Sequence, residues 1–401
     1  MLKNIGKNLL KSAACLLAAA MLSCFSLPNH AKADTAPVDT GSAKACLLIE
    51  AKTGKPLFEY NSGEELPAAG LSRLAALLVI CEAFDRGEMD KTALVTVSDR
   101  ASRIGGTTAL LRANEQIDAE SLLLAAAMIN AGDATAALAS AVCGSETAAV
   151  MRINERMAEL GIPASFADVC GEDRLFTARE LARLGSALIA SGTYNTYGTK
   201  YYEKILHSGA GETELANPNK LLRQYSGCLG VGTGSSQQAG YCGVFAAKRG
   251  ETVFVAVVLG ADTGAERFRI GAALLDCGFS AFRSVRVGTA GESFGTLPVT
   301  GSLVSEIEAV SNDDTVLLLK TNGSGYVTGT EFPPVLEAPV EKGDTVGKLI
   351  IRDTDGEVLA ETELVAADSA PKAGFIDCFA FVLRAFTGSE YRLNGGVAEQ
   401  T

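Results

Sequence analysis

Ala68-Ala-Gly-Leu-Ser-Arg-Leu-Ala-Ala-Leu-Leu-Val-Ile-Cys-Glu-Ala-Phe84 is the run from which the architecture of this chain can be worked out. Its apolar residues recur at helical spacing and alanine fills the gaps, so the helix can be covered on every side. Such a helix belongs inside a domain. Upstream, Ala45 to Glu50 and Pro56 to Tyr60 read as two strands around the turn Lys52-Thr-Gly-Lys55. Downstream, helices are expected at Ala119 to Ala131, Asp133 to Val142, Glu146 to Leu160 and Thr177 to Ala190. The last carries Thr177 and Glu180 at capping-box spacing. Tyr241 to Lys248 and Thr252 to Gly260 are β-rich runs about the hairpin signal Arg249-Gly-Glu251, and Glu266 to Leu275 returns to a helical pattern. Strands flanking a helical insertion predict an α+β domain over residues 34–284, an antiparallel sheet covered by helices.

Past Ser284 the composition changes. Residues 285–368 hold short strand-like runs, such as Thr315 to Lys320 and Val346 to Ile351, broken by Gly, Pro and Asp. They predict a small second domain of β-sandwich type. Ala370-Pro-Lys372 then leads into an apolar helix within residues 372–388, Phe375 to Phe386. A span needs about 20 apolar residues, so this helix is expected on a membrane surface or docked on the protein itself. At the other end, Lys3, Lys7 and Lys11 precede the apolar run Ser12 to Leu27, and Ala31-Lys-Ala33 offers small residues for cleavage. Residues 1–33 therefore read as an export signal, with Asp34 the first mature residue. Leu22-Ser-Cys24 fits a lipid-attachment site only loosely.

Losing residues 1–33 leaves 368 of 401 residues and removes four lysines and no acid, taking the formal charge from −12 to −16. So acidic a body repels nucleic acid. Eight cysteines remain, none at C-x-x-C spacing and most inside apolar runs, which suits small buried hydrophobes better than a disulfide framework. His207 is the one mature histidine, so a histidine-rich zinc centre is excluded, and no metal or cofactor is expected. It follows the stretch Gly198 to Leu206, read here as a helix whose C-terminal dipole it would satisfy.

Four segments, taken in order, resemble the low-molecular-mass penicillin-binding proteins, the serine D-alanyl-D-alanine carboxypeptidases of peptidoglycan metabolism. They are Cys46 to Glu82, Leu122 to Ala139, Asn154 to Gly161, and Asn217 to Leu222 running on to Gly232-Thr-Gly234 and Ala239 to Cys242. The resemblance implies the fold of that family and a site built on S-x-x-K, S-x-N and K-T-G. Aligned on Pro67-Ala68 and Ala76-Leu-Leu78, the first motif falls on Ala69-Gly-Leu-Ser72. Ala69 then stands at the nucleophile position and Ser72 at the base position. The second motif reads Asn130-Ala-Gly132 and the third Gly232-Thr-Gly234. Within residues 34–284 no serine stands three ahead of a lysine.

The resemblance further implies that Thr233, Gly234 and Ser235 face the substrate's terminal carboxylate, and that Ala69 and Ser235 offer backbone N–H groups to an oxyanion. Gly232 lacks the positive charge that would help hold the carboxylate. The expectation is a pseudoenzyme, a non-catalytic protein outside the cytoplasm whose partner is a peptidoglycan stem peptide or another envelope protein. The alternative is an active carboxypeptidase using Ser72 or Ser235 in a rearranged site.

Overall fold

The computed structural model describes residues 38–387, with 172, 173, 210, 323 and 324 excepted, so the expected export signal lies outside the described residues. The centre is a five-stranded antiparallel sheet. Its first strands are β1 (Ala45–Glu50) and β2 (Pro56–Tyr60). A 3-10 turn, Ala69–Arg73, then feeds α1 (Leu74–Asp85), ten of whose twelve residues are buried. The helical insertion continues with α2 (Ala119–Ile129), α3 (Gly132–Cys143), α4 (Glu146–Glu159) and α5 (Ala178–Ala190). Thr177 caps α5 in a complete capping box with Glu180, as its spacing predicts. A hairpin of β3 (Tyr202–Leu206) and β4 (Glu212–Ala216) follows.

The sheet is completed by β5 (Cys228–Ser236), β6 (Gly240–Arg249) and β7 (Thr252–Ala261), in the order β2-β1-β7-β6-β5. Register runs from Ala45 opposite Leu259 to Glu50 opposite Phe254. Alternate residues of β1 enter different cores. Leu47 and Ile49 join the cluster built with α1 and α5, whereas Cys46 and Leu48 lie with Phe268, Ile270 and Leu274 of α6 (Gly264–Ala281). Because both faces are covered, β1 reads as a continuous apolar run with no period of two.

In the C-terminal region, β8 (Phe282–Gly288), β9 (Ser293–Thr300), β10 (Glu306–Ser311), β11 (Thr315–Lys320), β12 (Tyr326–Glu331), β13 (Leu336–Glu337), β14 (Thr345–Asp353) and β15 (Val358–Ala366) form two sheets. One is the pair β8–β11, and the other runs β12-β14-β15-β10-β9-β13. Leu317 and Leu319 of the pair share one core with Ile307, Leu349, Ile351 and Leu364 of the larger sheet. Two sheets around one core is the layering a sandwich predicts.

The last helix, α7 (Phe375–Thr387), leaves Phe375, Ile376 and Phe379 largely exposed, and no helix among the described residues is long and apolar enough to cross a membrane. Of the eight cysteines among the described residues, Cys46, Cys81, Cys170, Cys242 and Cys277 are buried. Burial pushes the Cys46 thiol up to about 12, which keeps it inert.

Candidate active site

The three motif segments converge on one cleft between the start of α1, the α2–α3 junction and strand β5. Ala69 opens the 3-10 turn with a φ of +50°, a left-handed conformation that costs an alanine about 1 kcal/mol or more. The Leu71 N–H donates to Ala68 O at 3.2 Å and closes the turn. Across the cleft, β5 comes so close that a Cβ on Gly234 would lie 2.9 Å from the Gly70 nitrogen and 3.2 Å from the Ala69 methyl. Only glycine permits that approach.

Ser72 is buried and does not line the cleft. Its hydroxyl donates to Cys170 O at 2.6 Å, with Ala69 O of its own turn farther off at 3.2 Å. The shorter bond ties the turn to a segment 98 residues away, and it takes the proton away from the cleft. Arg73 next to it is also buried. Its Nη1 donates to Thr107 O at 3.1 Å and Asn130 O at 3.0 Å, and its Nη2 to Gly105 O at 2.9 Å. A Cβ on Gly132 would meet Arg73 Cζ at 2.7 Å and Ile104 Cγ2 at 2.6 Å. The guanidinium therefore fills the volume that a side chain at 132 would need.

Helix α2 stops at Ile129, two residues before the expected end, because Asn130 turns left-handed with φ +53°. Its Nδ2 reaches toward Thr233 O at 3.4 Å. The first turn of α3 carries Asp133, almost wholly buried. Asp133 accepts from the N–H groups of Ala109 at 2.9 Å, Leu111 at 3.1 Å and Ala134 at 2.8 Å. That carboxylate fixes the loop carrying Gly106 and Thr107, which line the cleft.

On the opposite wall, Gly230 and Val231 of β5 both have positive φ, +87° and +98°. For a β-branched residue this is a strained conformation. It is held by Tyr194, fully buried in the short helix Gly192–Tyr197. The Val231 N–H donates to Tyr194 Oη at 2.7 Å, and the tyrosine hydroxyl donates to Val231 O at 3.2 Å. Burial pushes the Tyr194 hydroxyl pKa up, so it stays protonated. Gly232 follows, and a Cβ there would sit 3.1 Å from Asn130 Nδ2 and 3.2 Å from Leu74 Cδ2. Thr233 is buried beside it, and Ser235 is exposed.

One residue of this wall has no place in the motif spacing. Arg267, from α6, is only 7% exposed and lines the cleft beside Thr233, Gly234 and Ser235. Its Nη1 donates to Gly234 O and Cys242 O, both at 3.1 Å, while its buried Nε has no partner among the described residues. Burial lowers its pKa from the ordinary arginine value. Arg267 thus brings a positive charge to the cleft from an element other than β5.

The cleft holds about 180 Å³ of open space and its lining contains two guanidiniums, Arg73 and Arg267, with no acid and no lysine among the described residues. No grouping of His, Cys, Asp or Glu suited to a metal occurs among the described residues. The one Ser-x-x-Lys spacing beyond residue 284, Ser369-Ala-Pro-Lys372, lies in the extended linker before α7, and Ser369 Oγ accepts there from the Lys342 N–H.

His207 is not at a helix end. Tyr202 to Leu206 pair with Glu212 to Ala216 as a hairpin, a tertiary pairing that overrides the local helical spacing. The imidazole Nδ1 lies 2.7 Å from Glu115 Oε1 and Nε2 lies 2.8 Å from Thr213 Oγ1. Burial alone would raise the Glu115 carboxyl pKa, but the Arg112 N–H, His207 and the Ser208 N–H outweigh it and hold it below the usual carboxylate range. The pair sits outside the cleft lining.

A family model for D-alanyl-D-alanine carboxypeptidase matches residues 30–263, and one for the penicillin-binding protein 5 C-terminal domain matches residues 282–372. The chain is 31% identical to the D-alanyl-D-alanine carboxypeptidase DacF of Bacillus subtilis over 90% of this chain and 95% of that one. It is 28% identical to DacC of Escherichia coli, a protein of the same description, over 89% and 91%. Among solved structures, penicillin-binding protein 5 from Haemophilus influenzae superposes with a TM-score of 0.73 over 84% of this chain and 99% of that one, at 22% identity.

Proposed function

This chain belongs to the D-alanyl-D-alanine carboxypeptidase family, and from that premise we propose that it is a non-catalytic member, an envelope protein that holds peptidoglycan stem peptide without cleaving it. The observation that carries this reading is the methyl group of Ala69 at the mouth of the 3-10 turn, with no hydroxyl–amine pair in the cleft lining. Acyl transfer needs a nucleophile, and a methyl group is none. The Ser72 hydroxyl donates its hydrogen bond to Cys170 O, away from the cleft. Removing the nucleophile or its base from a comparable serine site costs about a million-fold in rate.

What remains suits binding. Thr233 and Arg267 offer a hydroxyl and a buried guanidinium to a peptide's terminal carboxylate, and guanidinium–carboxylate contacts are among the stronger hydrogen bonds. The exposed apolar side of α7, with Phe375 86% and Ile376 80% exposed, suits a helix lying on a membrane surface. The protein then works outside the cytoplasm, where the wall peptide is.

The test is a labelling gel. Incubated with fluorescent penicillin, the purified protein should form no covalent adduct while a carboxypeptidase control labels, and the full chain should sediment with phospholipid vesicles. An adduct that disappears in Ser72→Ala or Ser235→Ala would establish the active alternative instead.

A further inference from the structure

Beside the cleft lies a second, smaller space. Asn130, Pro218 and Thr233 line both, whereas Gly198, Asn217 and Asn219 line only the second. It offers about 10 Å³ of open space, roughly the room that one water molecule needs. Chloride or an organic group is too large for it.

The three asparagines here are all buried, but they are not equally satisfied. Asn217 is fully used. Its Nδ2 donates to Gly198 O at 3.2 Å and to Lys200 O at 3.1 Å, and its Oδ1 accepts from the Asn219 N–H at 3.0 Å. Asn219 is half used. Its Oδ1 accepts from the Leu221 N–H at 3.1 Å, while its Nδ2, on a residue only 2% exposed, has no partner among the described residues. Turning the amide over would set its NH2 group against the Leu221 N–H, so the unpaired end is the donor. Asn130 Nδ2 reaches Thr233 O only at 3.4 Å and carries a second hydrogen.

A buried amide donor without an acceptor is costly, and a small polar cavity with roughly two to four partners holds a water where an apolar one stays dry. Whatever fills this space must accept from an N–H and find a use for any hydrogen of its own. A cation cannot accept. Water accepts from the amides and donates to carbonyl oxygens, and Gly198 O keeps a lone pair beside the one Asn217 uses.

We propose that this space is a built site for one ordered water, which accepts from Asn219 and Asn130 and donates to carbonyl oxygens of the wall, Gly198 O among them. The water joins the α2–α3 junction, the Asn217–Asn219 stretch and strand β5, three segments far apart in sequence. Asn130 and Thr233, which face the cleft, are then held from the other side by a solvent molecule. The site does not depend on whether the cleft reacts, so a penicillin adduct leaves it standing.

A high-resolution crystal structure of the purified protein, with a bromide soak beside it, tests this. One peak of water strength should lie about 2.7–3.2 Å from both Asn219 Nδ2 and Gly198 O, with no bromide signal on it. No peak, a protein group bonded to Nδ2, or bromide at that spot overturns the proposal. In solution, Asn219→Leu nearly keeps the volume and removes the donor, so oxygen-17 relaxation should count one long-lived water fewer. An unchanged count overturns the proposal as well. Should that variant fail to fold, the crystal structure of the unaltered protein decides.

Discussion

The two walls of the cleft have fared differently. The strand wall has a hydroxyl at Thr233, is joined by the guanidinium of Arg267, and holds Val231 at a φ of +98° through two hydrogen bonds to Tyr194. The helix wall carries Arg73 and Asn130 in the lining and no hydroxyl. Ala69 has a left-handed φ and no polar side-chain atom, Ser72 donates to Cys170 O, and the space before Gly132 is occupied by Arg73. The side chains suited to a ligand carboxylate, Thr233 and Arg267, thus lie on one wall, and the proposed non-catalytic reading rests on the other. Backbone strain, which costs stability without side-chain chemistry, persists on both sides.

The sharpest way to break this contrast is to rebuild the helix wall. Gly132→Asn should destabilise the protein by about 3 kcal/mol, since its Cβ would meet Ile104 and Arg73 at distances short of ordinary contact. Combined with Arg73→Ala, the loss should fall short of the sum of the single variants by about 1 kcal/mol or more in denaturant unfolding. Strict additivity would show that the guanidinium does not compete for that volume. On the strand wall, Tyr194→Phe should cost about 2 kcal/mol, because it strands the buried N–H and C=O of Val231. If melting shows no loss, the strain at Val231 is held by something other than this hydroxyl.

The smallest effect concerns the link between the walls. Glu115 belongs to the segment following the Thr107 loop, and His207 to the hairpin that leads into Pro218 on the cleft rim. With its folded pKa lowered, Glu115 adds stability above its unfolded value of about 4.3, and that contribution is lost as pH falls through the folded one. Glu115→Gln should therefore flatten the acid limb of the stability curve and cost about 1 kcal/mol at neutral pH. An unchanged acid limb in urea titrations would remove Glu115 from that account.

The elements with strong local signals can be read from sequence. The first two strands, the alanine-filled helix and the Thr177 cap all stand where spacing puts them. The start of that helix is a 3-10 turn because Ala69 takes a positive φ, which no apolar periodicity reveals. Strand β5 carries three glycines within Gly230 to Gly234, which weaken its local strand signal, and its pairing with β6 makes it a strand. Arg267 is not legible because the cleft is assembled from α6 and β5, 33 residues apart, and sequence spacing does not report which side of a helix faces a loop. The hairpin preceding His207 reads as a helix for the same reason, since its partner strand lies beyond the turn.

Asp133 has a consequence for ligand entry. Because one carboxylate gathers the amides of Ala109, Leu111 and Ala134, the rim that carries Thr107 is spoked to a hub inside the molecule and cannot flap independently of α3. A peptide arriving there meets a preset surface, and none of its binding energy is consumed in ordering that rim. The amide protons of Ala109 and Leu111 will exchange with solvent only when the hub itself opens.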